Sequence, residues 1–269
     1  HLSLRRQRQM CIRDRSNNES ARRRVTAVIA NVKSVPKCAG CMFGKQRRLP
    51  TPGTKTIQNK NTIGSLKKNN LNPGDEASLD HFYCSVKGRL FNSRGRTKED
   101  NMYCGGLMIV DHATNHVFVH FQKRLTSQET LDGKEEYERY CLSNGVVSQK
   151  YLTDAGGAFI SKDFTKHLME LKQEIRFAGV GAHHQNGPAE SYIGIIMKMA
   201  RTMMIHAAIH WPAMADPVLW PMAVNHACYL YNHMPEETTG FSPHDKFSRS
   251  RWDLVHRPKC LGMSSICIR

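Results

Sequence analysis

Three apolar segments predict three consecutive β-strands, at about residues 77–84, 102–110 and 116–121. In the third segment Val117, Val119 and Phe121 occupy alternate positions. A period of two is typical of a strand that buries one face. Polar stretches separate the segments, so we expect an antiparallel meander in which Asp111 is a residue of the second turn.

The rest of the chain alternates between helical and strand-like patterns. Helices are predicted at about 127–142, 162–172, 188–209 and 216–232, and strands at about 147–153 and 175–178. Ser127 is the expected N-cap of the first helix, and Asn144-Gly145 its end. Three strands followed by helix–strand–helix–strand–helix is the order of an RNase H-like α/β fold. Such a fold has a mixed five-stranded sheet flanked by helices on both faces.

Three carboxylates stand at positions that this fold can bring together. Asp80 lies within the first strand, Asp154 follows the fourth strand and precedes two glycines, and Glu190 opens the long helix. An isolated carboxylate is more commonly a turn residue or an exposed charge. Three carboxylates in one pocket, however, bind two divalent metal ions that can activate a nucleophile and stabilise a leaving oxygen at phosphorus.

The sequence blocks around these residues resemble the integrase of Copia-type long-terminal-repeat retrotransposons over about residues 36–247. The ordered blocks are KCAGCMFGK at 37–45, SLDHF at 78–82, VDHAT at 110–114, LTDAG at 152–156, GVGAHHQNGPAE at 179–190, ARTMM at 200–204, LWP at 219–221 and YNHMP at 231–235. The resemblance implies the same RNase H-like fold, with Asp80, Asp154 and Glu190 as the catalytic, metal-binding triad.

The resemblance also implies a reaction and its partners. The expected activity is that of a polynucleotidyl transferase, which processes the 3′ end of the element's DNA and joins it to target DNA with two Mg²⁺ or Mn²⁺ ions. The expected partners are both DNAs and further copies of the chain. The expected place of integration is the nucleus, after a stage in a cytoplasmic particle.

Two positions depart from the family pattern beside the triad. Ala155 stands where the family usually has Asn, and Ser191 stands where it usually has a basic residue. These losses keep open a second hypothesis, a catalytically inactive nucleic-acid-binding remnant. A bacterial insertion-sequence transposase is a third, and the blocks at 179–190 and 219–235 argue against it.

Positive charge is concentrated before the predicted core. Of the net charge of +16, residues 1–70 carry +15, from 17 Lys/Arg and 2 Asp/Glu, and residues 71–269 carry +1, from 22 and 21. Basic segments bind phosphates without sequence preference, although a solvated tail has the same composition. We predict a disordered or foreign basic arm at 1–35, a linker at 51–76, a catalytic core at 77–247 and an irregular tail at 248–269. Both ends are expected to be foreign to the family pattern.

The segment 36–50 is predicted to be the remnant of a zinc-binding module. Cys38 and Cys41 form a CxxC pair that supplies half of a Zn²⁺ site. The family pairs it with two upstream histidines, and only His1 precedes it here. We therefore expect the Zn²⁺ site to be incomplete. The other cysteines show no disulfide framework, which is typical of an intracellular, non-secreted protein.

Four polar residues are candidate DNA contacts. Lys198 and Arg201 share a helix face with Glu190, at 3.6 residues per turn, and would hold phosphates, although solvated helix charges are an alternative. Gln185 and Asn186 lie in a glycine-containing loop that we expect to cover DNA. No apolar run is long enough to cross a bilayer, so no membrane partner is expected.

Overall fold

The computed structural model describes residues 38–46, 71–95, 98–178, 187–236 and 239–250. Its helices are α1 (Ala39–Gly44), α2 (Ser127–Ser143), α3 (Gly157–Ile160), α4 (Lys162–Glu170), α5 (Gly187–His210), α6 (Trp220–Asn232) and α7 (Pro243–Ser248). Its strands are β1 (Ala77–Gly88), β2 (Tyr103–Asp111), β3 (Val117–Gln122), β4 (Lys150–Thr153) and β5 (Glu174–Phe177). The predicted arm at 1–35, most of the linker and the tail beyond residue 250 lie outside the described residues.

The strands form one mixed sheet in the order β3-β2-β1-β4-β5. The pairs β1–β2 and β2–β3 are antiparallel, whereas β1–β4 and β4–β5 are parallel. Every residue of β2 from 104 to 111 is buried, as expected for a strand with both faces covered. The predicted five-stranded sheet flanked by helices is thus confirmed.

Alternate residues of β1 enter two separate cores. Leu79 packs with Tyr137, Phe159 and Phe164 on the face covered by α2, α3, α4 and α7. Phe82 belongs to the core on the other face, which is covered by α5 and α6 and contains Met108, Ile196, Trp220 and Val224. Because side chains of a strand alternate between faces, Asp80 lies on the α5 side of the sheet, with Phe82.

The predicted end of the first strand at residue 84 was wrong, because β1 continues to Gly88 through an irregularity after Tyr83. Packing against α6 stabilises this extension. Trp220 Nε1 donates to the Val86 carbonyl over 2.8 Å. A Cβ on Gly88 would lie 2.6 Å from Trp220 Cε2, so the aromatic ring sits directly on the strand backbone.

Other differences are local. The N-cap of α2 is Thr126 rather than Ser127, and its hydroxyl accepts a hydrogen bond from Glu129 N. Gly145, with φ of +70°, ends the segment after α2 as predicted. The strand β4 begins at Lys150 rather than at residue 147, because Gln149 N donates outside the sheet, to the Gly74 carbonyl. The short helices α1, α3 and α7 were not predicted.

Asp111 is a structural turn residue with a buried carboxylate. Its oxygens accept hydrogen bonds from Gly74 N at 2.8 Å, Thr114 N at 2.9 Å and Thr114 Oγ1 at 2.7 Å. The carboxylate therefore joins the segment before β1 to the β2–β3 turn. Burial raises the pKa of Asp111, and these hydrogen bonds oppose the rise.

Within the described ranges, no helix is long and apolar enough to cross a membrane.

Candidate active site

The parallel pairing of β1 with β4 brings two of the three predicted carboxylates to one place. Leu79 is the register partner of Thr153, so Asp80 and Asp154 are the next residues along two adjacent parallel strands. Asp80 Oδ1 accepts a hydrogen bond from His81 N at 2.8 Å. Asp80 is therefore held on the central strand of the sheet, directly beside the end of β4.

Asp154 begins the loop between β4 and α3 and is fixed by a local turn. Its Oδ1 accepts a hydrogen bond from Gly156 N at 3.1 Å. A Cβ on Gly156 would lie 3.0 Å from the same oxygen, so a larger residue would push against the carboxylate. This close approach explains the usefulness of a glycine two residues after Asp154.

Glu190 lies in the first turn of α5 and is exposed. The helix packs on the sheet face that carries Asp80, through Ile196 and Ala200. A carboxylate in the first turn of a helix is stabilised by the helix dipole. The sequence thus placed Glu190 correctly on a helix, and packing of α5 brings it toward the two aspartates.

The charges of Asp154 and Glu190 both act on Asp80. Burial raises the pKa of Asp80 to about 6, with further upward contributions from the charges of Asp154 and, more weakly, of Glu190; the hydrogen bond from His81 N opposes the rise. A carboxyl group that is both partly buried and beside like charges is unfavourable when ionised. The site therefore favours a bound cation or a proton.

The donor set fits a hard divalent ion, although its side chains are not closed into a cage. Carboxylate oxygens are the ligands preferred by Mg²⁺, which commonly takes one or two of them and completes its shell with water and substrate phosphates. Among the residues that the structure describes, no group of three or more His, Cys, Asp and Glu side chains converges to hold a metal ion.

His81 is a neighbour of the site that the sequence analysis missed. Its ring stacks on Phe159 of α3, with ring centroids 4.7 Å apart, and its Nε2 lies 3.0 Å from Thr130 Oγ1 of α2. Burial lowers the pKa of His81 to about 4, and the charge of Asp154 opposes this. Only its position next to Asp80 marked it in the sequence.

Arg201 contacts α1 rather than standing open beside Glu190. Its Nε and Nη2 donate to the Gly44 carbonyl at 2.9 and 2.6 Å, and Nη2 also donates to the Gln46 carbonyl at 2.9 Å. Gly44 is the last residue of α1 and Gln46 lies just beyond it, so the guanidinium stands at the C-terminal end of this helix, where a cation is favourable. Arg201 therefore has a structural role, and its predicted contact with DNA phosphates stays a prediction.

The CxxC pair lies on α1, which packs against α5 through glycines. Cys38 is the residue before α1 and Cys41 is buried within it. A Cβ on Gly40 would lie 3.2 Å from His206 Cβ, and one on Gly44 would lie 2.7 Å from Thr202 Cα. No third and fourth zinc ligands converge on the pair within the described ranges. The described residues therefore do not fit a complete zinc site.

Of the other three residues predicted to contact DNA, the structure describes only Lys198. Lys198 is half-buried on α5, and its carbonyl accepts from Thr202 Oγ1. Gln185 and Asn186 lie outside the described residues. Ala155 and Ser191, the two departures from the family pattern, are both exposed.

The strand order, the mixed pairing and the helices on both faces define an RNase H-like fold, the architecture of integrase catalytic cores. A chain of the simian T-cell lymphotropic virus intasome in complex with PP2A regulatory subunit B56 gamma matches with a TM-score of 0.50 and 17% identity. The match covers 66% of the present chain and 55% of the other, so it spans about half of that chain's length.

Two structures of the HTLV-2 integrase catalytic core domain in complex with magnesium, one trimeric and one dimeric, each match with 19% identity and a TM-score of 0.47. Each match covers 66% of the present chain and 98% of the other. No protein-family model matches the chain, and no curated protein does. At these identities the likeness shows the fold alone.

Proposed function

We propose that this chain is the catalytic core of a Copia-type retrotransposon integrase. It would process the 3′ end of the element's DNA and transfer that end to target DNA. The observation that carries the proposal is the placement of Asp80 beside Asp154 on adjacent parallel strands of an RNase H-like sheet, where the charges of Asp154 and Glu190 both raise the pKa of Asp80. The sequence blocks around these three residues supply the assignment to the Copia type.

The three carboxylates suit transesterification at phosphorus without a covalent enzyme intermediate. When bound, Mg²⁺ or Mn²⁺ supplies activation of the attacking oxygen and stabilisation of the leaving oxygen. Asp80 and Asp154 present oxygens from adjacent strands, and Glu190 reaches the same region from α5. Water first cleaves near the 3′ end of the DNA, and the freed 3′-hydroxyl then attacks a phosphodiester of the target.

Partners and place of action follow from the same proposal. The element's DNA ends and the target DNA are the substrates, and several copies of the chain would assemble on them, in the nucleus. One of the matching structures is an intasome, and two others are trimeric and dimeric forms of an integrase core. Those assemblies are properties of the matching proteins.

Strand transfer by the full chain tests the proposal directly. The assay uses an oligonucleotide with the end sequence of the parent element and either Mg²⁺ or Mn²⁺. We expect metal-dependent products that disappear in Asp154→Asn and Glu190→Gln. Asp100→Asn, at an exposed position in the β1–β2 connection, is the matched control and retains activity. Equal products from the Asp154 and Glu190 variants would contradict the triad.

A catalytically inactive DNA-binding remnant is the second candidate, and Ala155 and Ser191 favour it. Ala155 lacks the amide of the usual Asn, and Ser191 lacks a charge-assisted contact to phosphate worth about 1–3 kcal/mol. If the folded chain binds DNA without product, the double variant Ala155→Asn, Ser191→Arg decides the matter. Recovered strand transfer would indicate a decayed integrase; continued inactivity would support a binding role.

A further inference from the structure

His81 connects the strand that carries Asp80 to elements on the opposite face of the sheet. Asp80 lies on the α5 side, whereas the ring of His81 packs between Phe159 of α3 and Thr130 of α2. Phe159 is 1% exposed and Thr130 is fully buried, so both partners are themselves fixed by the core. The ring is thus held from two sides by elements other than its own strand.

The hydrogen bonds around Thr130 define which ring nitrogen carries the proton. Thr130 Oγ1 lies 2.7 Å from the Thr126 carbonyl, which can only accept, so the hydroxyl hydrogen points there. The oxygen then accepts from Gln122 Nε2 at 3.3 Å and from His81 Nε2 at 3.0 Å. His81 is therefore the Nε2–H tautomer, and its ring is fixed in orientation as well as in position.

This anchored residue contacts both aspartate-bearing segments. Its backbone N–H donates to Asp80 Oδ1 at 2.8 Å. Its ring stacks on Phe159, which lies in the short helix that follows the turn of Asp154 and Gly156. The His81 side chain therefore joins the strand that carries Asp80 to the helix that follows the Asp154 turn.

We propose that His81 is a positioning residue that sets the separation of the Asp80 and Asp154 carboxylates and thereby the affinity of the site for a divalent ion. The proposal rests on the proposed function, because it assumes that these carboxylates hold that ion. Residues that orient metal ligands without touching the metal contribute about 10- to 100-fold to metal affinity.

Binding of Mn²⁺ to the full chain without DNA, followed by electron paramagnetic resonance of free Mn²⁺, tests the proposal apart from activity. We expect His81→Ala to weaken Mn²⁺ binding by about 10-fold. His81→Phe keeps the stack on Phe159, so it should bind Mn²⁺ more tightly than the alanine variant. It also guards against a result caused by unfolding, since the core retains an aromatic ring there.

His120→Ala is the matched control. His120 lies on β3, packs against Gly133 of the same helix α2 and pairs with Glu136. Neither partner belongs to the segments that carry Asp80 and Asp154. It should leave Mn²⁺ binding unchanged. Folded His81→Ala protein with the wild-type affinity would overturn the positioning role.

Asp154→Asn distinguishes a failure of the His81 role from a failure of the proposed metal site. If the wild-type chain binds Mn²⁺ and Asp154→Asn does not, the metal site stands whatever His81→Ala does. If the wild-type chain binds no Mn²⁺, or Asp154→Asn binds it equally well, the proposed metal site fails and the role of His81 fails with it.

Discussion

At Asp80 the proposed metal-binding role and the stability of the protein oppose one another. Its folded-state pKa, raised by burial and by Asp154, lies near 6, above the ordinary value of 3.8. The group therefore favours folding below pH 3.8, and that contribution is lost as the pH rises to about 6. At neutral pH the ionised carboxylate destabilises the metal-free protein.

Asp80→Asn should therefore stabilise the metal-free protein at pH 7. The amide keeps an oxygen for His81 N and removes the repulsion, and we expect a gain of about 1 kcal/mol after allowance for solvent screening. Urea unfolding at pH 7 and pH 4 measures it, because the gain should vanish at pH 4. An equal or lower stability of the variant at pH 7 would show that the ionised carboxylate does not destabilise the protein.

His116 should make the protein sensitive to acid. It is buried against Tyr140 and Phe247, and burial, together with His244 and His233, lowers its pKa to about 3. The unfolded chain gains a proton below about pH 6.5 and the folded chain does not, so stability falls as the pH drops from 6.5 toward 3.

His116→Phe removes this contribution and keeps the ring stacking. Between pH 6 and pH 5 we expect the wild-type protein to lose about 1 kcal/mol more unfolding free energy than the variant. The variant should keep a residual slope, because the pKa values of His81 and His206 are also lowered by burial. Parallel pH profiles from urea titrations would contradict the assignment.

At the scale of elements, the packing of α1 on α5 depends on two glycines of α1. Gly40 and Gly44 let the two backbones approach, and the Arg201 guanidinium donates to two carbonyls at the C-terminal end of α1. The helix that begins near the candidate site thus also holds the CxxC segment.

Gly44→Ala should separate α1 from α5. The new Cβ would lie 2.2 Å from Thr202 Oγ1 and 2.7 Å from Thr202 Cα, and backbone cannot move away cheaply. We expect a loss of about 1–3 kcal/mol and faster amide hydrogen exchange in α1.

Gly194→Ala, on α5 itself, is the control for that change. Nothing lies within 4 Å of its added Cβ, so the gain in helix propensity should stabilise the protein by up to about 1 kcal/mol. Unchanged hydrogen exchange of α1 in Gly44→Ala would mean that the contact does not hold the helix.

At the scale of the whole molecule, charge is divided between an N-terminal stretch of +15 and a nearly neutral remainder of +1. Nonspecific DNA affinity should therefore depend on residues 1–70, which include the arm, more than on the core. Affinity supplied by phosphate contacts falls with salt in proportion to the number of contacts.

Replacement of Arg22, Arg23 and Arg24 by Gln tests this division. The slope of log affinity against log salt should decrease in magnitude by up to about 2.7 if all three contact phosphates. Lys162, Lys166 and Lys172, on or after α4, are the control set, and their replacement by Gln should change the slope less. Equal effects of both sets, in DNA-binding titrations across salt, would refute a special role for the arm.

Local patterns along the chain were enough to predict the order of the five strands and the four longer helices and the place of each carboxylate on its element, and this order indicated the mixed sheet. The alternation in β3 and the glycine that ends the segment after α2 are examples, because each acts within a few residues. The sequence also marked the residues that depart from the family pattern beside Asp154 and Glu190.

Which residues support the site became visible only in the folded chain. The register of Leu79 with Thr153 sets Asp80 beside Asp154, the ring of His81 packs between α2 and α3, and Arg201 binds carbonyls 155 and 157 residues away. Such contacts join residues that are remote in sequence. They depend on how packed elements fit together, which periodicity and local propensity do not encode.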